Sequence, residues 1–226
     1  MVTQAAWIKS LTATYVRAWE GRGVKGSIGG LFGAPIGSDE EVLPWSRSQQ
    51  AAFLIFVWQC IGSAVTNCRE PWAESLRSGK QHSSLKEDPA FAGSYDTHLN
   101  TNIGTRGILH ITNDFCYLKS EELGLRNWVA DDEVGTPDDE AIRRALESLA
   151  IQEVATFLRD LAVALVEYDW RTSSAPGLSR DEQRLKAAIR GGAGYKELRI
   201  QLLEHLANTS GHIGQAAQEV INALGY

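Results

Sequence analysis

The segment 137–170, PDDEAIRRALESLAIQEVATFLRDLAVALVEYDW, runs for 34 residues with no glycine and no proline after its first position. Nothing in it interrupts a helix, and its start carries helix signals. Thr136 can cap, Pro137 suits the first helical position, where its missing N–H costs nothing, and Asp138, Asp139 and Glu140 offset the positive end of the helix dipole. Ile142, Leu146, Leu149, Val154, Phe157, Leu158, Leu161, Leu165 and Tyr168 recur at helical spacing. From Ala155 to Val166 only Thr156, Arg159 and Asp160 break the apolar run, the pattern of a helix buried by several neighbours. One helix over the whole segment would be about 45–50 Å long. The expected fold is therefore all-α, an irregular multi-helix bundle organised around this one long central helix.

The rest of the chain reads the same way. Residues 3–20 place Trp7, Ile8, Leu11, Tyr15 and Trp19 on one helical face. Ser46 with Gln49 forms a capping box before AAFLIFVWQCIGSAV, a core helix too short and too interrupted to span a bilayer. Pro71 opens a short helix, residues 78–102 form a polar loop, and residues 106–119 form a further helix. After Trp170 the stretch RTSSAPGL reads as a linker. Ser179 with Glu182 caps a helix over 180–190, GGAG breaks it, and helices over 195–207 and about 213–224 follow. No alternation supports a strand. The expected division is a helical core over 1–170, with glycine-rich and polar loops, and a C-terminal helical unit over 171–226 packed on the same domain.

Charge limits the partners. A net charge of −6 argues against general attraction to nucleic acid or anionic membrane. The balance is uneven, because residues 138–170 hold eight acidic and three basic residues while 171–226 hold five acidic and seven basic. The N-terminus has no basic stretch followed by an apolar one, and the three cysteines, Cys60, Cys68 and Cys116, form no metal-ligand spacing. Reduced thiols in the cytoplasm are the expectation, with no metal, no cofactor and no membrane association.

Four places could carry function. Gly21-Arg-Gly23-Val-Lys-Gly26 has the letters of a dinucleotide fingerprint, but a helix precedes it where a strand is required. Arg22 and Lys25 could instead contact nucleic-acid phosphates, although a glycine-packed turn is the commoner outcome. Arg106, His110 and Asp114, spaced by four, share one helix face. His110 with Asp114 could be an oriented base, or half of a metal site with His98, although a locally paired polar face is the commoner arrangement. The C-terminal unit has the length of a helix-turn-helix, with Arg184, Lys186, Arg190, Lys196 and Arg199 as phosphate contacts, against the commoner plain helical hairpin. Its glycines also free backbone N–H groups for an anion. Among the seven tryptophans, those beside loops, Trp45, Trp72 and Trp128, could anchor a protein partner.

The stretches GGAGYKELRIQLLEHLA (191–207) and TNIGTRGILHITNDF (101–115) resemble the helical C-terminal part of bacterial DGQHR-domain proteins, which are associated with DNA modification and phage defence. The DGQHR motif is absent and no catalytic residue carries over. The resemblance implies a helical portion or detached partner of such a protein.

Three readings follow. The leading one is a non-catalytic helical subunit or adaptor of a prokaryotic cytosolic complex, with a protein partner, acting on nucleic acid in defence against foreign DNA. The second is direct DNA or RNA binding through Arg22, Lys25, Arg106, Lys196 and Arg199. The third is an enzyme using His110 and Asp114.

Overall fold

Ser46 sets the pattern for how these helices begin. Its hydroxyl accepts from the Gln49 N–H at 3.2 Å, and the Gln49 side chain returns to the Ser46 N–H at 3.0 Å. Ser179 and Glu182 repeat this box at 3.3 and 2.7 Å. The computed structural model describes residues 2–16, 28–34, 41–70, 72–73, 97–130 and 136–226. They form eight α-helices: α1 (Gln4–Leu11), α2 (Arg47–Asn67), α3 (Asn102–Leu118), α4 (Asp138–Leu149), α5 (Glu153–Val166), α6 (Arg180–Ala187), α7 (Gly191–Ala207) and α8 (His212–Leu224). A single π-helical turn, Thr12–Val16, continues α1, and Leu125–Asn127 forms a 3-10 turn. Among the described residues the only β-type pairing is the isolated bridge between Thr97 and Arg171. The fold is all-α.

The long helix over 137–170 does not form as one rod. It breaks at Ala150–Gln152 into α4 and α5, although no glycine or proline stands there. Both halves pack on α2, which a continuous helix of that length could not do with both apolar faces. The break exposes Ile151 to 84 % and frees the Ala150 carbonyl, which accepts from Arg159 Nη2 at 3.1 Å.

The buried axis is α3 instead. Every residue from Gly107 to Cys116 is buried, around the full circumference of the helix. α1 with its π turn, α7 and α8 enclose it. Gly107 permits the approach of α7, because a Cβ there would lie 2.7 Å from Leu198 Cδ2. Leu198, Leu202, Leu203 and Leu206 give α7 its core face, and Ile213, Ala216, Ala217, Val220 and Leu224 do so for α8. The glycines of GGAG open α7 rather than separating two helices: the break falls at Ala188–Arg190, and Gly191 takes φ +57°.

Residues 28–34, the described end of the glycine-rich stretch, pack against α1 and α3. Asn113 on α3 clamps them, its Nδ2 donating to the Gly29 carbonyl and its Oδ1 accepting from the Leu31 N–H, both at 3.0 Å. Phe32 N–H reaches the Tyr15 carbonyl at 2.7 Å, and a Cβ on Gly30 would collide with that same carbonyl. This part of the stretch is a glycine-packed turn. Gly21, Arg22, Gly23, Lys25 and Gly26 lie outside the described residues.

Candidate functional site

The polar face of α3 is enclosed. Asp114 and Arg199 each expose 2 % of the side chain, and Arg199 from α7 places Nε at 2.7 Å and Nη2 at 2.5 Å from Asp114 Oδ2. Burial pushes the Asp114 carboxyl up, and the Arg199 guanidinium and Asn113 offset part of that rise. One turn away, His110 is also buried, and Arg106 Nε donates to its Nε2 at 3.4 Å. Burial first, then the Arg199 and Arg106 charges, hold His110 well below the usual imidazole range, so the ring is neutral. Arg106 lies half-buried with its guanidinium carbon 4.3 Å from the Tyr195 ring centroid. On the opposite side of α3, Thr112 meets the π turn, its hydroxyl 2.6 Å from Tyr15 Oη.

Chemically this arrangement fixes the register of α3 against α7 and α1. Arg199 is an interior ion-pair partner, not a surface cation available to phosphate. His110 and Asp114 are neighbours as their spacing demands, but both are sealed from solvent. His98 sits elsewhere, its backbone N–H donating to the Trp170 carbonyl at 2.7 Å, and burial followed by the Lys186 charge lowers the pKa of its ring to about 4. Among the described residues no three His, Cys, Asp or Glu side chains are grouped to hold a metal. Lys196 is exposed on α7.

Trp45, Trp72 and Trp128 are core residues, exposed by 5, 5 and 3 %. Trp45 and Trp128 meet edge-to-face at 4.8 Å. Trp45 Nε1 donates to the Leu125 carbonyl at 2.9 Å, and Trp128 Nε1 to Ser148 Oγ at 3.2 Å. They join the 3-10 turn, α2 and α4 from inside instead of presenting a surface to a partner.

A second polar knot, with its lysine buried and its other members partly exposed, lies at the start of the C-terminal unit. Lys186 Nζ contacts the Asp169 carbonyl at 2.5 Å and Asp169 Oδ2 at 3.1 Å, while Arg171 Nε holds Oδ1 at 2.9 Å. The α6–α7 unit is pinned by this lysine. α7 lies with its apolar face in the core, whereas α6 is exposed at Arg180, Arg184 and Leu185.

Two accessible concavities lie on α5. Thr156, Arg159, Asp160, Val163 and Glu167 form its exposed face. A groove of about 540 Å³ runs between α2 and α5, floored by Phe56, Cys60, Ala64 and Val166. A second, of about 590 Å³, lies between α5 and the α7–α8 connection, with His205, His212 and Asp160 on its walls. Val163 and Glu167 line both, so they form a ridge, and Val163 is 53 % exposed there. The residues that interrupt the apolar run of 155–166, Thr156, Arg159 and Asp160, mark this face in the sequence. Val163 completes it at the i, i+3, i+4, i+7 spacing. No known protein family, curated protein or solved structure matches the chain. No described helix is long and apolar enough to cross a membrane.

Proposed function

We propose that this chain is a non-catalytic helical subunit that binds a protein partner across α5. The observation that carries this reading is the ridge of Val163 and Glu167 standing between two grooves of about 540 and 590 Å³. An exposed valine flanked by two concave walls, apolar at Phe56, Ala64 and Val166 on one side and polar at His205, Asn208 and His212 on the other, offers knobs and holes to another protein, and desolvating such a centre supplies most of the binding energy at an interface. The His110–Asp114 face is closed by an internal ion pair, whereas the α5 face is accessible.

The test is the mass of the native assembly purified through this chain, for wild type and for Val163→Asp. The wild type is expected to run as a stoichiometric complex with one other protein, and Val163→Asp to run as the free chain with unchanged helicity. An identical assembly from both chains, or a wild-type chain that purifies alone, would refute the reading.

A further inference from the structure

The groove between α2 and α5 is electrically polarised along its length. Phe56, Cys60, Ala64 and Asn67 repeat at helical spacing along the α2 wall. At one end the Arg159 guanidinium carbon lies 5.3 Å over the Phe56 ring. Asn67, Arg69 and Glu70, at and just past the C-terminus of α2, line the rest of the groove together with Val166 and Glu167 at the C-terminus of α5, so α2 and α5 run in the same direction. Their two C-termini therefore meet at the other end, and each carries the negative pole of its helix. Glu70 and Glu167 line the groove there as well, with Arg69 as the one cation among them. A positive end and a negative end are thus separated by an apolar floor. From Arg159 to Glu167 the distance along α5 is about 12 Å, roughly two turns.

Resting on the reading above that this surface binds a protein, we infer that the partner element is an amphipathic helix lying in the α2–α5 groove. Its apolar stripe covers Phe56, Ala64, Val163 and Val166. It carries a carboxylate facing Arg159 and a basic side chain facing Glu167, about two turns apart. Among the described residues nothing fills the groove between these two packed helices, and the length of its α2 wall, Phe56 to Asn67, is about 16 Å, enough for three helical turns. One guanidinium donor of Arg159 is held by Ala150, which aims the side chain while the other N–H groups can meet a carboxylate. A single-sign ligand would place like charge against one end of the groove, so the occupant is selected by its charge order as well as by its apolar stripe.

The experiment uses the full chain and three fluorescein-labelled designed peptides of about five helical turns with one shared apolar stripe. One carries Glu and Lys two turns apart, one carries Glu at both places and one carries Lys at both. Fluorescence anisotropy is expected to show the mixed peptide binding about tenfold tighter than either other, the equivalent of two partly screened ion pairs. Arg159→Glu is expected to move the preference to the two-Lys peptide. Val163→Asp on the α5 ridge and Gln59→Arg on the opposite wall, both at exposed positions, are expected to weaken all three peptides by tenfold or more. Equal binding of the three peptides, absence of binding, or binding unaffected by both wall variants overturns the inference. If the peptides bind alike while Val163→Asp still dissolves the native assembly, helix recognition falls and the partner-binding reading stands.

Discussion

Removing the Asp114 carboxylate should expose how α3 is held. Asp114→Ala removes the carboxylate oxygen that Arg199 Nε and Nη2 contact at 2.7 and 2.5 Å, where 2 % of each side chain meets solvent. An exposed pair would be worth about 0–1 kcal/mol. Breaking a buried one by removing a single partner costs about 3–5 kcal/mol. Against a total stability of about 5–15 kcal/mol this is a large fraction, and at about 2–4 °C per kcal/mol for a chain of this length the melting temperature should fall by about 10 °C. Arg199→Ala should cost a similar amount. The double variant Asp114→Leu/Arg199→Met removes both charges and refills the space, so it should lie within about 2 kcal/mol of wild type or above it. Urea unfolding followed by tryptophan fluorescence measures these chains together with the double variant's own components, Asp114→Leu and Arg199→Met, and that cycle gives a coupling energy of several kcal/mol. Single variants that each cost less than about 1 kcal/mol, as at a surface pair, would refute the reasoning. So would a double variant whose loss equals the sum of the singles.

Asn113→Ala removes the acceptor for the Leu31 N–H and the donor to the Gly29 carbonyl, and should cost about 2–4 kcal/mol in urea unfolding. Gly30→Ala meets the Tyr15 carbonyl and should lower the thermal midpoint, whereas Gly192→Ala, with open space around its Cβ, should be neutral or raise it. His98 titrates near pH 6.5 when unfolded and at about 4 when folded, so the unfolded chain binds the proton first. The stability His98 permits is therefore complete above about pH 6.5 and is lost as pH falls towards 4, by up to about 3 kcal/mol. A urea midpoint that keeps its full slope between those pH values in His98→Gln would show that another group is responsible.

The parts that were legible in the sequence are those set by local chemistry. Both capping boxes, the all-α class, and the starts of α2 and α6 follow from side chains three residues apart. Trp45, Trp72 and Trp128, which their place beside loops makes candidate partner anchors, are buried in the core. Position beside a loop says nothing about which side of the loop the ring takes. Lys186 and Arg199 looked like surface cations for the same reason: their long stems reach the interior, and only their tertiary partners, Asp169 and Asp114, show where the charge ends. Arg199 lies 85 residues from Asp114 along the chain, so spacing could not announce the pair.

The break between α4 and α5 is the sharpest case, and it links the fold to the proposed surface. Ala150, Ile151 and Gln152 have no intrinsic reason to end a helix, since none is glycine or proline. What ends it is α2, on which both halves pack. Ending the helix leaves α4 carbonyls without intrahelical donors, and Arg159, one residue of the exposed α5 face, supplies one at 3.1 Å. The same guanidinium stands 5.3 Å over Phe56 at the head of the α2–α5 groove. The residue that satisfies the broken helix is therefore the residue that gives the groove its positive end. Arg159→Met separates the two roles. It keeps a stem over Phe56 but leaves the Ala150 carbonyl to water, so it should cost about 1 kcal/mol of stability, measured by urea unfolding. In the peptide assay it should abolish the preference of the mixed-charge peptide over the two-Lys peptide while leaving the apolar contribution in place. A variant that loses several kcal/mol yet keeps that preference would show that the guanidinium serves the fold alone.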